Sequence, residues 1–462
     1  MAVTHWYTGR ASESTATVVV RADATGNVAV AANGQTLQAA CDTSVNDGNA
    51  VVEFTGLQPG QRYPYTVGGV AGGELRPFPV AAPFWLAMTS CWDIARMDAL
   101  APRLLTAPPT IRTPADALMS ECVAGLAGFV SMGDHVYMNL TGTINGVAVT
   151  AVTSLATATG VASRRSHHRA SHLTQGRLQL MRNVPSYLLK DDHEYDPDNA
   201  SYSTSWLNDQ FPGTSPHSAQ NLTDVWTAAS TAWREWSQGN PAREVGSGIL
   251  GGPDCYRVRI GPLEIWCTDL IQERDYTGTV DGPTKRVMSA LQEEWLLSTM
   301  SASTAQFKLW VSSKQFISSC GRNSDGFTDL GGTGRGYRNQ LTRILSDSRF
   351  PRAGCFSITG DEHIRSDVMV SAGQFGGSHA AVSQISAGPA TIDVITNPND
   401  GLTYRAGVRD KERDVSTAAR RGENNYVLLR VLSDRVERYI LGSRYGLRSA
   451  GYINTQSNEV HH

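Results

Sequence analysis

No apolar stretch in this 462-residue chain is long enough to span a bilayer. Its start, Met1-Ala2-Val3-Thr4-His5-Trp6, lacks both the basic and the apolar segment of a secretory signal. The expectation is a cytoplasmic chain, as written, with no membrane span. Strong charge of one sign is missing too. Forty Lys and Arg against 43 Asp and Glu give a formal net charge of -3, which provides no field for gathering a nucleic-acid polymer or an anionic membrane surface. A small anion held by local cations remains compatible with that balance. The seven cysteines (41, 91, 122, 255, 267, 320 and 355) are odd in number, widely spaced and free of any Cys-x-x-Cys pair for zinc or redox work. No repeat of solenoid or propeller period is present, and the terminal His461-His462 is set aside as native or a cloning remnant.

What is present divides the chain in two. Residues 1–82 read as a small all-β module: Thr15 to Arg21 and Ala50 to Phe54 are strand-like, with Gly, Asn and Asp turns between them. The stretch Leu57 to Val67, with Tyr63 and Tyr65, resembles the tyrosine corner of fibronectin type III sandwiches. Gly68 to Pro79 reads as a linker. In residues 83–462 strand-like and helix-like runs alternate, which argues for α/β layers. Arg177 to Asn183 and Gln292 to Met300 carry helical patterns, the first stopped by Pro185. Thr141 to Ser163 reads as a hairpin or loop insertion beside the site.

The chemistry collects where apolar runs stop. Val184 to Leu189 ends in Lys190-Asp191-Asp192-His193-Glu194; Phe84 to Ser90 ends in Cys91-Trp92-Asp93. Gly128 to Met132 ends in Gly133-Asp134-His135-Val136-Tyr137, and Cys355 to Thr359 ends in Gly360-Asp361-Glu362-His363. One such ending is as well explained by a solvated turn. Four are the pattern of a single ligand site assembled at the carboxyl edge of a sheet. Carboxylates bridge cations, a phenolate suits a strongly Lewis-acidic metal, and an imidazole protonates a leaving oxygen near neutral pH. Asp196, Asp198 and Asn199 add oxygen donors.

Weaker candidates remain. Gly331 to Gly336 lacks the Gly-Lys-Ser/Thr ending of a phosphate loop. His168 and His172 have a helical chelating spacing, but the arginines around them favour a solvated or anion-facing helix. Trp233 to Trp236 reads as helix packing with its charges outward, and either Arg234 or Arg243 could reach a bound phosphate.

In order and content these motifs resemble those of the alkaline phosphatase D family, the PhoD-like metallophosphatases: Ser90-Cys91, Gly133-Asp134 with Tyr137, Asp191 to Glu194 with Asn199, and Gly360-Asp361 with His363. Gln292-Glu293-Glu294-Trp295-Leu296 and Gly336-Tyr337 are similar to further family segments, and the match extends to about residue 440. The resemblance implies a four-layer αββα metallophosphoesterase core behind the fibronectin III-like sandwich. It implies Fe(III) held by Cys91, Asp134 and Tyr137 with Ca(II) alongside, other divalent ions being used by some relatives. Asp192, Asn199, Asp361 and His363 would complete the site. Asn199 stands later than in the family pattern, so Asp196 or Asp198 could replace it. The implied reaction is hydrolysis of a phosphate monoester or diester by a metal-bound hydroxide, with Asp192 and His193 catalytic and His193 as general acid. By family habit the location would be periplasmic or secreted if an export signal was removed. The competing reading is a catalytically weak phosphatase fold that binds a surface polymer or partner through residues 1–82.

Overall fold

A computed structural model of the chain describes residues 1–92, 98–195, 199–214, 216–317, 326–327, 334–361, 366–370, 382–387, 408–410, 425–442 and 446–454. Its first seven strands are β1 (Val3–Ala11), β2 (Ala16–Ala22), β3 (Gly26–Ala32), β4 (Gln35–Cys41), β5 (Asn49–Phe54), β6 (Tyr63–Val67) and β7 (Val70–Leu75). They make two antiparallel sheets, ordered β1-β2-β5 and β4-β3-β6-β7. Val18, Val20, Val52 and Phe54 of the first share a buried cluster with Val28, Val30, Tyr65 and Val67 of the second. β2 reads Val18-Val19-Val20 without polar alternation because both its faces are covered: Val19 points the other way, into a cluster with Trp85 and Trp233.

The expected linker is not one. Gly68 to Pro79 contains β7, paired with β6 from Tyr63↔Leu75 to Val67↔Val70. Nor does the β module stand clear of the remainder. Tyr65 Oη donates to Arg182 O (3.0 Å), Tyr7 Oη to Trp236 O (3.0 Å), and the Ala11 amide to Tyr187 Oη (3.0 Å). Thr8 Oγ1 lies 2.7 Å from Met181 O and 2.6 Å from Val184 O. These contacts bear on the segment that leads into Lys190-Asp191-Asp192.

Beyond residue 83 the strands are β8 (Phe84–Thr89), β9 (Leu126–Met132), the hairpin β10 (Gly142–Ile144) and β11 (Val147–Val149), β12 (Ser186–Leu189), β13 (Tyr256–Ile260), β14 (Leu263–Cys267), β15 (Phe307–Ser312), β16 (Cys355–Thr359), β17 (Ser366–Val370), β18 (Val382–Ser386), β19 (Val408–Asp410), β20 (Asn425–Val431), β21 (Arg435–Gly442) and β22 (Gly446–Asn454). One six-stranded sheet runs β12-β9-β8-β20-β21-β22, with β12, β9 and β8 parallel. A seven-stranded sheet runs β13-β14-β15-β16-β18-β17-β19, with β14, β15, β16 and β18 parallel.

The two sheets share a core: Leu86, Met88, Val130, Met132 and Leu189 of one pack with Ile265, Leu309, Val311, Phe356 and Ile358 of the other. Alternate residues face outward. Trp85, Ala87, Phe129 and Leu188 meet helices α1 (Pro114–Gly125), α4 (Arg177–Asn183) and α6 (Ala219–Trp236). On the other sheet Trp266, Trp310 and Cys355 meet α7 (Ala290–Ala302) and α8 (Arg338–Ser346). Between these lie the short helix α2 (Leu155–Ala158), α3 (Val161–His172) and α5 (Thr204–Gln210). Covering both faces explains why the core strands are unbroken apolar runs. Helix boundaries follow local chemistry: Thr113 and Asp116 form a capping box with Pro114 in the first turn of α1, and α4 stops two residues before Pro185. No helix among the described residues is long and apolar enough to cross a membrane.

Candidate active site

Because β8, β9 and β12 are parallel neighbours, Cys91, Asp134 and Asp191 to Glu194 leave one sheet at one edge. Asp361, after β16, comes from the other sheet. The expectation of a single sheet edge therefore becomes a seam between two. Ser90 Oγ donates to Ala387 O across that seam (2.8 Å). Gly360 sits in it so tightly that a Cβ there would lie 2.9 Å from Met132 O and 3.0 Å from Ser90 Cβ.

The backbone is bent at the ligand positions themselves. Cys91 (φ 60°), Asp134 (φ 54°), Asn199 (φ 53°) and Asp361 (φ 72°) all occupy the left-handed region, where a non-glycine residue persists only if its surroundings over-determine it. Here they do. The Cys91 amide donates to Gly133 O (3.2 Å) and the Trp92 amide to Asp134 O (2.7 Å). The Glu194 carboxylate accepts from the amides of Asp134 (3.0 Å), Val136 (3.3 Å), Asp191 (2.6 Å) and His135, tying the turn after β9 to the turn after β12. Asp192 Oδ2 accepts from the Asn199 amide (2.6 Å).

Side chains then converge. Asp134 Oδ2 is 3.5 Å from Cys91 Sγ and accepts from Tyr137 Oη at 3.2 Å. The Tyr137 and His193 rings are 4.3 Å apart between centroids. Ligand atoms of Asp134, Asp192 and His193 lie within 4.8 Å of one another, as do those of Asp134, Asp191 and Asp361. Cys91, Asp134, Asp191 and Asp192 are buried, while His193, Asn199 and Asp361 are half-buried and form the accessible rim.

Burial pushes the Cys91 thiol, the Tyr137 phenol and the Asp191 carboxyl up, and the neighbouring carboxylates add to each. Glu194 is pushed up to about 8, by burial and then by Asp134. Burial also opposes ionisation of Asp192, but Lys314 and His193 outweigh it and hold this carboxyl below its usual range. Asp134 Oδ1, Asp191 Oδ1 and His193 Nδ1 are buried without a hydrogen-bond partner among the described residues. Acceptors left unpaired in a field that penalises their charge fit metal cations, and oxygen, sulfur and imidazole donors together suit a hard, high-charge ion with a softer site beside it.

Two residues to which the sequence assigned no role belong to this site. Lys314, two residues past β15, is fully buried with Nζ 3.1 Å from Asp191 Oδ2, 3.1 Å from Asp192 Oδ1 and 2.8 Å from Asp361 Oδ1. The signal that could have found it is position, a fifth apolar run (Leu309-Trp310-Val311) ending at the same edge. His135, inside the Gly-Asp-x-x-Tyr motif, is a buried support. Its Nε2 lies 2.7 Å from Leu189 O, its Nδ1 2.9 Å from Arg177 Nη2, and its ring stacks on Trp233.

Other expected residues fall elsewhere. His363, Asp196, Asp198 and Gly331 to Thr333 lie outside the described residues. Arg234 and Arg243 converge on Asp254 (3.0 and 3.6 Å), and their guanidinium groups are further bound by the carbonyls of residues 250–252. No described contact joins either to the carboxylate cluster. The solvated helix expected at His168 and His172 is instead buried against Trp233, Trp236, His5 and Tyr7, so aromatic rings from β1 and α6 cover what looked like a polar face. Trp233 and Trp236 pack inward as expected, but Glu235 is buried and paired with Arg165 rather than turned outward.

Comparison with known proteins places the chain in a family and a fold. The family model described as PhoD-like phosphatase matches residues 118–437. The solved structure of PhoD superposes with a TM-score of 0.66 at 15% identity, covering 97% of this chain and 92% of that one. A Salmonella typhimurium structure assigned as an alpha amylase reaches a TM-score of 0.15 at 9% identity over 78% of this chain and 50% of its own, which carries no argument. No curated protein matches the chain.

Proposed function

Since the chain belongs to the PhoD-like phosphatase family, we propose that it hydrolyses phosphate esters, monoesters and diesters both being candidates, in a metal-dependent reaction at the seam between its two central sheets. The observation that carries this reading is the convergence of Cys91, Asp134, Tyr137, Asp191, Asp192, His193 and Asp361 around unpartnered buried donor atoms. Cys91, Asp134 and Tyr137 would hold Fe(III), with Ca(II) alongside, and Asp192, Asn199, Asp361 and His363 would complete the site. Such ions, when bound, supply Lewis acidity and lower the pKa of coordinated water to near 7.

The chain's own residues do the remainder. Glu194 fixes both ligand-bearing turns through four backbone amides. Asp192 is held ionised by Lys314 and oriented by the Asn199 amide. His193 stands at the half-buried rim, against the Tyr137 ring, where its imidazole protonates the departing oxygen. On the same reading the layered packing is a four-layer αββα core (residues 83–462), and residues 1–82 are a fibronectin III-like sandwich that buttresses α4 and β12.

His193→Gln tests the assignment. General-acid catalysis is worth roughly 10²–10⁴-fold, and the loss should concentrate on esters with strongly basic alkoxide leaving groups and nearly vanish for nitrophenyl esters. An equal loss across the series would make His193 a ligand instead of an acid.

A further inference from the structure

We propose that Lys314 is a resident cation of the active site: its ammonium occupies one of the two ligand sets there, so the chain takes one divalent ion fewer than its carboxylates would accept. This rests on the metal-dependent reading above and narrows it.

The two ligand sets share Asp134 but are otherwise different. Asp134, Asp192 and His193 form one; Asp134, Asp191 and Asp361 form the other. Lys314 Nζ contacts a single member of the first, Asp192 at 3.1 Å, but two members of the second, Asp191 at 3.1 Å and Asp361 at 2.8 Å. A divalent ion in the second set would have to bind carboxylates already committed to an ammonium, and would face that positive charge across a shared ligand. In the first set His193 Nδ1 and Asp134 Oδ1 have no hydrogen-bond partner among the described residues, and Asp192 Oδ2 accepts from the Asn199 amide.

The lysine is also built in rather than draped over the site. Its side chain is 0% exposed, and its carbonyl accepts from Ser312 Oγ at 2.5 Å. It leaves β15 between β14 and β16, at the edge where Gly360 brings the two sheets together. A compact charge with three donors suits a point where three carboxylates from three turns meet.

The test is metal stoichiometry, independent of turnover. Full-length wild type, Lys314→Gln and Lys314→Arg are stripped with chelator, titrated with Ca²⁺ by calorimetry, and their bound metal counted by mass spectrometry after desalting. Lys314→Gln should bind one Ca²⁺ per chain more than wild type, at a site roughly tenfold or more tighter than any wild-type occupancy of it. Lys314→Arg, which keeps the charge, should retain the wild-type count. If Lys314→Gln folds only in Ca²⁺, that rescue supports the proposal, whereas a variant left unfolded in Ca²⁺ overturns it. Equal counts and affinities in Lys314→Gln and wild type also overturn it while leaving the metal site intact. Failure of wild type and Lys314→Gln alike to bind any divalent ion removes the metal-dependent reading itself, and this proposal with it.

Discussion

Replacing His5 with Phe should change how the protein responds to acid more than how stable it is at neutral pH. His5, on β1, is buried with its ring stacked on Trp236 at 4.8 Å and 16°. Burial, and then the guanidinium groups of Arg21, Arg182 and Arg169, push its pKa down to about 3. In the unfolded chain the imidazole titrates near 6.5. A group whose folded pKa is depressed gives stability that is fully present above the unfolded value and is lost as pH falls, here from about 6.5 toward 3. Between pH 7.5 and 5 the unfolded state gains about 2 kcal/mol from protonating this one side chain, and the result hardly depends on the folded value so long as His5 stays neutral at pH 5.

Phe keeps the stacked ring and removes the titration. Urea unfolding followed by tryptophan fluorescence at the two pH values should show the difference, wild type minus His5→Phe, falling by about 2 kcal/mol at pH 5. Asp98 and Glu194, pushed up to about 6 and about 8, act in the opposite direction as pH falls, but they are common to both proteins and cancel. A difference that stays constant with pH would mean that His5 is protonated or hydrated in the folded state, and would refute the reasoning.

Two substitutions probe the frame of the site. Gly133→Ala places a Cβ 2.5 Å from Asp191 Cβ at a position with φ 96°; it should cost about 1–3 kcal/mol in stability and about 10²-fold in kcat, read from urea unfolding and phosphate release. Lys190→Met leaves the half-buried Asp254 and buried Asp269 carboxylates, now 2.6 and 2.8 Å from Nζ, without their ammonium. It should destabilise by about 3–5 kcal/mol at pH 7.5 and by less at pH 5, where Asp254, no longer held low by Lys190, takes up a proton more readily.

The sequence made the site legible because its signal is local: each apolar run and the ligand that ends it are adjacent in the chain, as at Leu189 and Asp191 or Met132 and Asp134. It could not reveal that Asp361 approaches from a second sheet, since strand pairing is set by contacts hundreds of residues apart, such as β8 with β20. Lys314 was hidden for the opposite reason. A single lysine after two serines looks like any solvated turn until three carboxylates are brought to it. The helical pattern of His168 and His172 looks polar in the chain because imidazoles and arginines are polar, yet β1 and α6 supply the rings that bury it. The Gly-rich stretch before Pro79 resembles a linker in sequence because β7 draws its stability from pairing with β6 rather than from its own side chains.

The central claim is that Asp134, Asp192, His193 and their neighbours form a metal-dependent phosphoesterase site. Its most direct test is phosphate release from a panel of monoesters and diesters by the protein as purified, after chelation, and after metal is restored. Hydrolysis of at least one ester class that falls by roughly 10²-fold or more on chelation and returns with iron and calcium is the predicted result. Hydrolysis undiminished by chelation, in protein shown to hold no metal, would contradict it.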